Sequence, residues 1–171
     1  MPSPEGATPV CEIDLSVSDN RWHGAHPDVA DLVERAAAAA LAVAPRRPAG
    51  PLELCVVLSD DAAVRDLNRT WRGKDRPTNV LSFPATGVHH GPGPRLIGDV
   101  VLAYETVLRE SAAETKPIAD HLAHLVVHGT LHLLGEDHET GEAEAEAMER
   151  LEIEALASLG IPDPYGDEAA V

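Results

Sequence analysis

Polar and apolar residues alternate over positions 12–17, and this two-residue period predicts a first strand. His26-Pro27-Asp28 then opens an alanine-rich helix that stops at Pro45, where the ring and the missing amide end helical pairing. After a turn at Pro48-Ala49-Gly50-Pro51 a second strand runs over 52–58. Ser59-Asp60-Asp61 can cap a helix over 62–71, with a loop at 72–77 and a short strand at 79–83. Residues 84–94, rich in proline and glycine, predict a mobile connection or hairpin, and 96–103 a further strand. From Tyr104 the period becomes helical: 104–115, 117–134 and 142–159, the last ended by Gly160. Strands mixed with helices early and helices alone late predict an α+β fold, a small mixed β-sheet packed with helices. No internal repeat marks a second domain. The expected organisation is a flexible segment over 1–9, one domain over 10–165 and a tail over 166–171.

The length of 171 residues agrees with one domain, which buries about two-thirds of the surface its unfolded chain exposes. Cys11 and Cys55, each set among strand-like residues, read as inert core thiols. The N-terminus lacks the basic and apolar regions of a signal peptide, and no apolar run reaches membrane-spanning length. A cytoplasmic protein without a membrane partner is therefore expected. The net charge of −16 is unevenly spread. Acid gathers between Glu136 and Glu154 and reads as a solvated helix face, whereas Arg65, Arg69, Arg72, Lys74 and Arg76 form a local basic patch against Asp66 and Asp75.

The strongest chemical signal is His128-Gly129-Thr130-Leu131-His132, followed by Gly135 and His138. Four helical residues advance about 6 Å and return to within roughly 40° of the same face, so His128 and His132 can present two imidazoles to one ion. Gly135 can end the helix in a left-handed cap, letting His138 fold back as a third ligand. Three protein nitrogens leave a fourth position for water, the arrangement of catalytic rather than structural zinc. His124 continues the four-residue spacing, but two turns put it about 12 Å from His132, too far to share an ion. It reads as a neighbour of the site. The same offsets occur in metzincin proteases, which carry a general-base glutamate directly after the first histidine; here that position is Gly129.

Further segments carry a resemblance: Leu67-Asn68-Arg69-Thr70-Trp71-Arg72-Gly73-Lys74-Asp75, Pro77-Thr78-Asn79-Val80-Leu81-Ser82-Phe83-Pro84, Gly98-Asp99, the histidine motif, and Gly160-Ile161-Pro162-Asp163-Pro164-Tyr165. With these the chain resembles the YbeY family of bacterial endoribonucleases. The resemblance implies one zinc ion on His128, His132 and His138, and Arg72 as a functional arginine near the metal cleft. It implies single-strand-specific RNA cleavage, rRNA processing including small-subunit 3′-end maturation, and ribosome quality control. The expected partners are rRNA and the small ribosomal subunit, with a ribosomal protein or GTPase delivering the RNA, and not DNA. Arginine's planar fork suits phosphate oxygens, so Arg72 is the expected catalytic residue. Where the family has Asp or Asn, this chain has Asn79, expected to be structural; Asp137 and Asp99 are weaker candidates for moving a proton. Attack by water and attack by the ribose 2′-hydroxyl both remain open. A ribosome-assembly binding factor with an architectural zinc is one alternative, and a metallopeptidase is another, disfavoured by Gly129.

Overall fold

The computed structural model describes residues 11–87, 89, 91–137 and 139–165. The expectations for 1–9, 166–171 and His138 therefore fall outside the described residues. Four strands, β1 (Cys11–Val17), β2 (Leu52–Ser59), β3 (Val80–Pro84) and β4 (Arg95–Ala103), form one sheet in the order β1-β2-β4-β3. β1 and β4 run parallel to β2, while β3 pairs antiparallel with β4 along one edge. The expected mixed sheet is present.

Strand alternation sorts the side chains onto two faces. Leu52, Leu54, Val56 and Leu58 of β2, with Val100 and Leu102 of β4, join the main core. That face is covered by α1 (Val29–Val43) and α4 (Ile118–Leu133), with α5 (Glu142–Ser158) packed on both helices. Runs of alanine in α1 keep its surface thin, so Ala36, Ala37 and Ala40 bury completely. On the opposite face Val101 and Ala103 meet a smaller cluster containing Leu81 of β3 and Val64 of α2 (Asp61–Arg72). The edge strand β3 thus has α2 on one side and α4 on the other.

The helix α3 (Tyr104–Ala113) leaves β4 without an intervening loop, and its N-cap residue, Ala103, supplies no side-chain cap. Asp61 replaces it from α2: its Oδ1 accepts the Thr106 backbone N–H at 3.0 Å and hydroxyl at 2.9 Å. Glu105 returns the contact, accepting the Asp61 N–H at 2.9 Å. Two helix N-termini therefore share each other's acids, which also suits their dipoles. Asp60, not Asp61, caps α2 itself, through Ala63 N–H at 2.9 Å.

One element lay outside the expected set: a 3-10 helix over Asn20–Gly24, which buries Trp22 completely. The Trp22 Nε1–H donates to the Ser59 carbonyl at 2.8 Å, and its ring meets Tyr104 edge-on at 5.1 Å. A single aromatic among polar neighbours has no periodicity to reveal it.

Register between β2 and β4 shifts where Glu53 pairs with Leu96 and Leu54 with Gly98, so Ile97 is the extra residue of a bulge. Gly98 follows at φ 153°, and a Cβ there would collide with the Phe83 carbonyl and lie 2.8 Å from Leu133. Gly98→Ala is expected to cost about 2 kcal/mol or more. Gly24→Ala, which meets open space, should stay within about 0.5 kcal/mol of wild type. Urea midpoints at constant slope distinguish these outcomes.

Candidate active site on α4 and α5

The apolar residues Leu122, Leu125, Val126 and Leu131 hold α4 in the core, leaving His128 and His132 half-buried beside it. Glycine permits the helix to approach the sheet closely. A Cβ at Gly129 would stand 2.9 Å from Val100 Cγ1 and 3.0 Å from Ser82 Oγ, and the Ser82 hydroxyl donates to the Gly129 carbonyl at 3.3 Å. Position 129 therefore faces packed sheet, with no room for a carboxylate.

The helix ends as its sequence predicts. Gly135 adopts φ 102°, with Gly135 N–H bonded to His132 O and Glu136 N–H to Leu131 O, the paired bonds of a Schellman cap. Arg46, reaching from beyond α1, clamps this turn through the Gly135 carbonyl and the Glu136 carboxylate, both at 3.2 Å. The Glu136 carbonyl then accepts from His132 Nδ1 at 3.0 Å.

His128 is oriented by a side chain that pattern reading had assigned to a solvated face. Glu152 of α5 is 1 % exposed; its Oε2 faces His128 Nδ1 at 2.7 Å and its Oε1 faces His124 Nε2 at 2.7 Å. The Tyr165 hydroxyl donates to Oε1 as well, and lies 3.2 Å from His124 Nε2. Burial alone would raise the Glu152 carboxyl, but hydrogen bonds from His124 and His128, helped by Tyr165, hold it down at about 2. Burial and the adjoining carboxylate push the Tyr165 phenol well up, so it stays a donor. A signal for Glu152 exists in the sequence: it shares the buried stripe of Met148, Ala155 and Leu156 at helical spacing.

These partners set the tautomers. An ionised carboxylate and a carbonyl only accept, so Nδ1 carries the proton in His128 and His132, and Nε2 is the lone-pair nitrogen in each neutral ring. This fits a metal donor pair, because ligating histidines commonly anchor their other nitrogen on a carboxylate or backbone carbonyl. Among the described residues no group of three or more such side chains gathers as a metal cluster; His128 and His132 are two of the three predicted ligands.

A cavity of about 1000 Å³ adjoins this array, lined among others by Asn79, Glu110, His121, His124, His128 and Tyr165. Glu110 Oε1 binds His121 Nε2 at 2.8 Å and Asn79 Nδ2 at 3.0 Å, so Asn79 ties the start of β3 to α3. Burial lowers the His121 pKa. The Nδ1 atoms of His121 and His124 are buried without a partner among the described residues.

Arg72 does not line this cavity. It is exposed at the C-terminal end of α2, which packs on the other sheet face, and among the described residues it forms no ion pair. Asp99 likewise lies off the histidine face, beside Cys55, whose thiol is pushed up to about 11 chiefly by burial and then by Asp99. Asp137 turns to the backbone, accepting Glu139 N–H at 2.8 Å.

The model of the family Endoribonuclease YbeY matches residues 16–160. The chain belongs to that family. An Endoribonuclease YbeY from Azorhizobium caulinodans is 54 % identical over 154 residues, covering 90 % of this chain and 96 % of its own. One from a Bradyrhizobium strain is 49 % identical over 166 residues, covering 94 % and 95 %. The solution structure of TM1509 from Thermotoga maritima matches with a TM-score of 0.51 and 21 % identity, over 86 % of this chain and 91 % of that one, and shows the shared fold.

In this chain, Glu152→Ala should cost about 3 kcal/mol or more, because three donors, those of His124, His128 and Tyr165, lose one buried acceptor. Glu154→Ala, on the exposed face of the same helix, should fall within about 0.5 kcal/mol. Equal urea midpoints for the two variants would contradict the inward role of Glu152.

Proposed function

We propose that this chain is a zinc-dependent, single-strand-specific endoribonuclease that acts in rRNA processing, including maturation of the small-subunit 3′ end, and in ribosome quality control. The observation that carries the reading is the pair of Nδ1 anchors, Glu152 on His128 and the Glu136 carbonyl on His132, which turns two helical histidines into oriented nitrogen donors within a member of an endoribonuclease family. His128, His132 and His138 would hold the ion. Zinc, when bound, supplies Lewis acidity that polarises a phosphoryl oxygen and acidifies water.

The chain's own groups do the rest. Glu152 keeps His128 in one tautomer, and the Schellman turn braced by Arg46 does the same for His132. Arg72, carried by α2 on the other sheet face, holds a phosphate oxygen of the bound strand, the task for which a planar guanidinium is suited. Attack by water and attack by the ribose 2′-hydroxyl give different ends, since only the latter leaves a cyclic phosphate.

The cellular setting belongs to the same reading: a cytoplasmic enzyme on the small ribosomal subunit, with RNA delivered by a ribosomal protein or GTPase. No helix among the described residues is long and apolar enough to cross a membrane. With a net charge of −16, affinity for bare RNA should be modest and fall steeply with salt. Peptide cleavage is disfavoured by the closed space at Gly129.

The test is cleavage of a 3′-extended small-subunit rRNA fragment by metal-assayed protein. His132→Ala should lose both zinc and cleavage, whereas Arg72→Ala should keep its zinc and lose about tenfold in kcat/KM through weaker strand binding. Equal residual cleavage in wild type and both variants would trace the activity to a contaminant and sink the proposal.

A further inference from the structure

Trp71 is the most exposed of the large hydrophobic side chains among the described residues, at 70 %. Its place on α2 makes that exposure informative. Val64 and Leu67 pack against the sheet beside Leu81 and Phe83, and Trp71 follows them by seven and four residues, on the same helical face. By spacing the ring belongs to the sheet-facing stripe, yet it stays largely in water, exposing one of the largest hydrophobic surfaces a side chain can offer.

The surroundings of the ring are cationic. Arg65 is paired with Asp75 and Arg69 with Asp66, but Arg72, Lys74 and Arg76 have no ion-pair partner among the described residues. Three cations without an ion pair among the described residues thus lie within five positions of an exposed indole, in a chain whose net charge is −16. A flat aromatic surface for a base, with positive charge for the adjoining phosphates, is the combination that binds single-stranded nucleic acid. A duplex cannot use the ring, because its bases are already stacked.

We propose that Trp71 is a base-stacking platform for the RNA strand: one unstacked base lies on the indole while its flanking phosphates rest on Arg72, Lys74 and Arg76. The proposal rests on the endoribonuclease reading and deepens it by locating a source of single-strand preference. The platform lies with α2 on the sheet face away from the cavity beside His128, and β3, the edge strand touched by both α2 and α4, lies between them. Trp71 is accordingly a positioning residue, felt in substrate binding rather than in the chemical step. Every base has a π face, so the contact carries little sequence preference.

The chain has two tryptophans, and Trp22 is fully buried, so changes in exposed indole emission report Trp71. Metal-loaded full-length protein is titrated with a short nuclease-resistant single-stranded oligoribonucleotide while emission is followed. Emission should be quenched as RNA saturates. Trp71→Ala should raise Kd and KM about tenfold with kcat retained and the salt slope unchanged, while Trp71→Phe keeps most of the affinity. Arg72→Ala should instead lower the slope of log K against log salt by about 0.7. RNA binding with constant emission, together with a Trp71→Ala variant of unaltered Kd and KM, would overturn the stacking proposal alone. So would self-association that Trp71→Ala abolishes without any loss of RNA affinity. A wild-type protein that neither binds nor cleaves RNA would overturn the endoribonuclease reading as well.

Discussion

A buried carboxylate must be saturated with donors or lose its charge, and Glu152 meets that requirement by binding together three parts of the chain. It sits on α5, faces His124 and His128 of α4, and takes the hydroxyl of Tyr165 from the segment beyond α5. The rotamers and tautomers of the histidines follow from this one group. The packing of α5 on α4 therefore orients the histidines as well as contributing to the core, and Tyr165, beyond the end of α5, takes part in the same network.

The arrangement at the end of α4 repeats this logic with backbone in place of a side chain. Gly135 reverses the chain, Arg46 holds the reversed segment, and the carbonyl so presented receives His132 Nδ1. One histidine is fixed by a carboxylate from a distant helix and its neighbour by a carbonyl four residues on. The first depends on tertiary packing, the second on local turn geometry with one long-range brace.

Elements with strong periodicity were legible from sequence, because their hydrophobic pattern reports local geometry. The strands and long helices occur where alternation and helical spacing place them, and the spacing of His128, His132 and Gly135 suffices to forecast a helix, its two histidines and its cap. Strand order is different in kind, since β4 lies between β2 and β3 through contacts distant in sequence. Trp22 was hidden because a lone aromatic in a 3-10 helix has no period. Glu152 was hidden by its neighbours: in a helix crowded with glutamates, one inward member looks like the others until its registry with Met148 and Leu156 is noticed. Arg72 was legible only as a basic residue in a motif, since placing it relative to α4 requires knowing which sheet face each helix covers.

The close seating of α4 at Gly129 bears on what variation can reach. A glutamate after the first histidine is the substitution that would bring this motif towards the metzincin pattern. Yet any side chain at 129 meets Val100 from β4 and Ser82 from β3 before it meets solvent. Space would have to be opened first at those two positions, on other elements and with no chemical advantage of its own. Variants at 129 are thus screened by whether the helix can still dock, long before a new reaction could be selected.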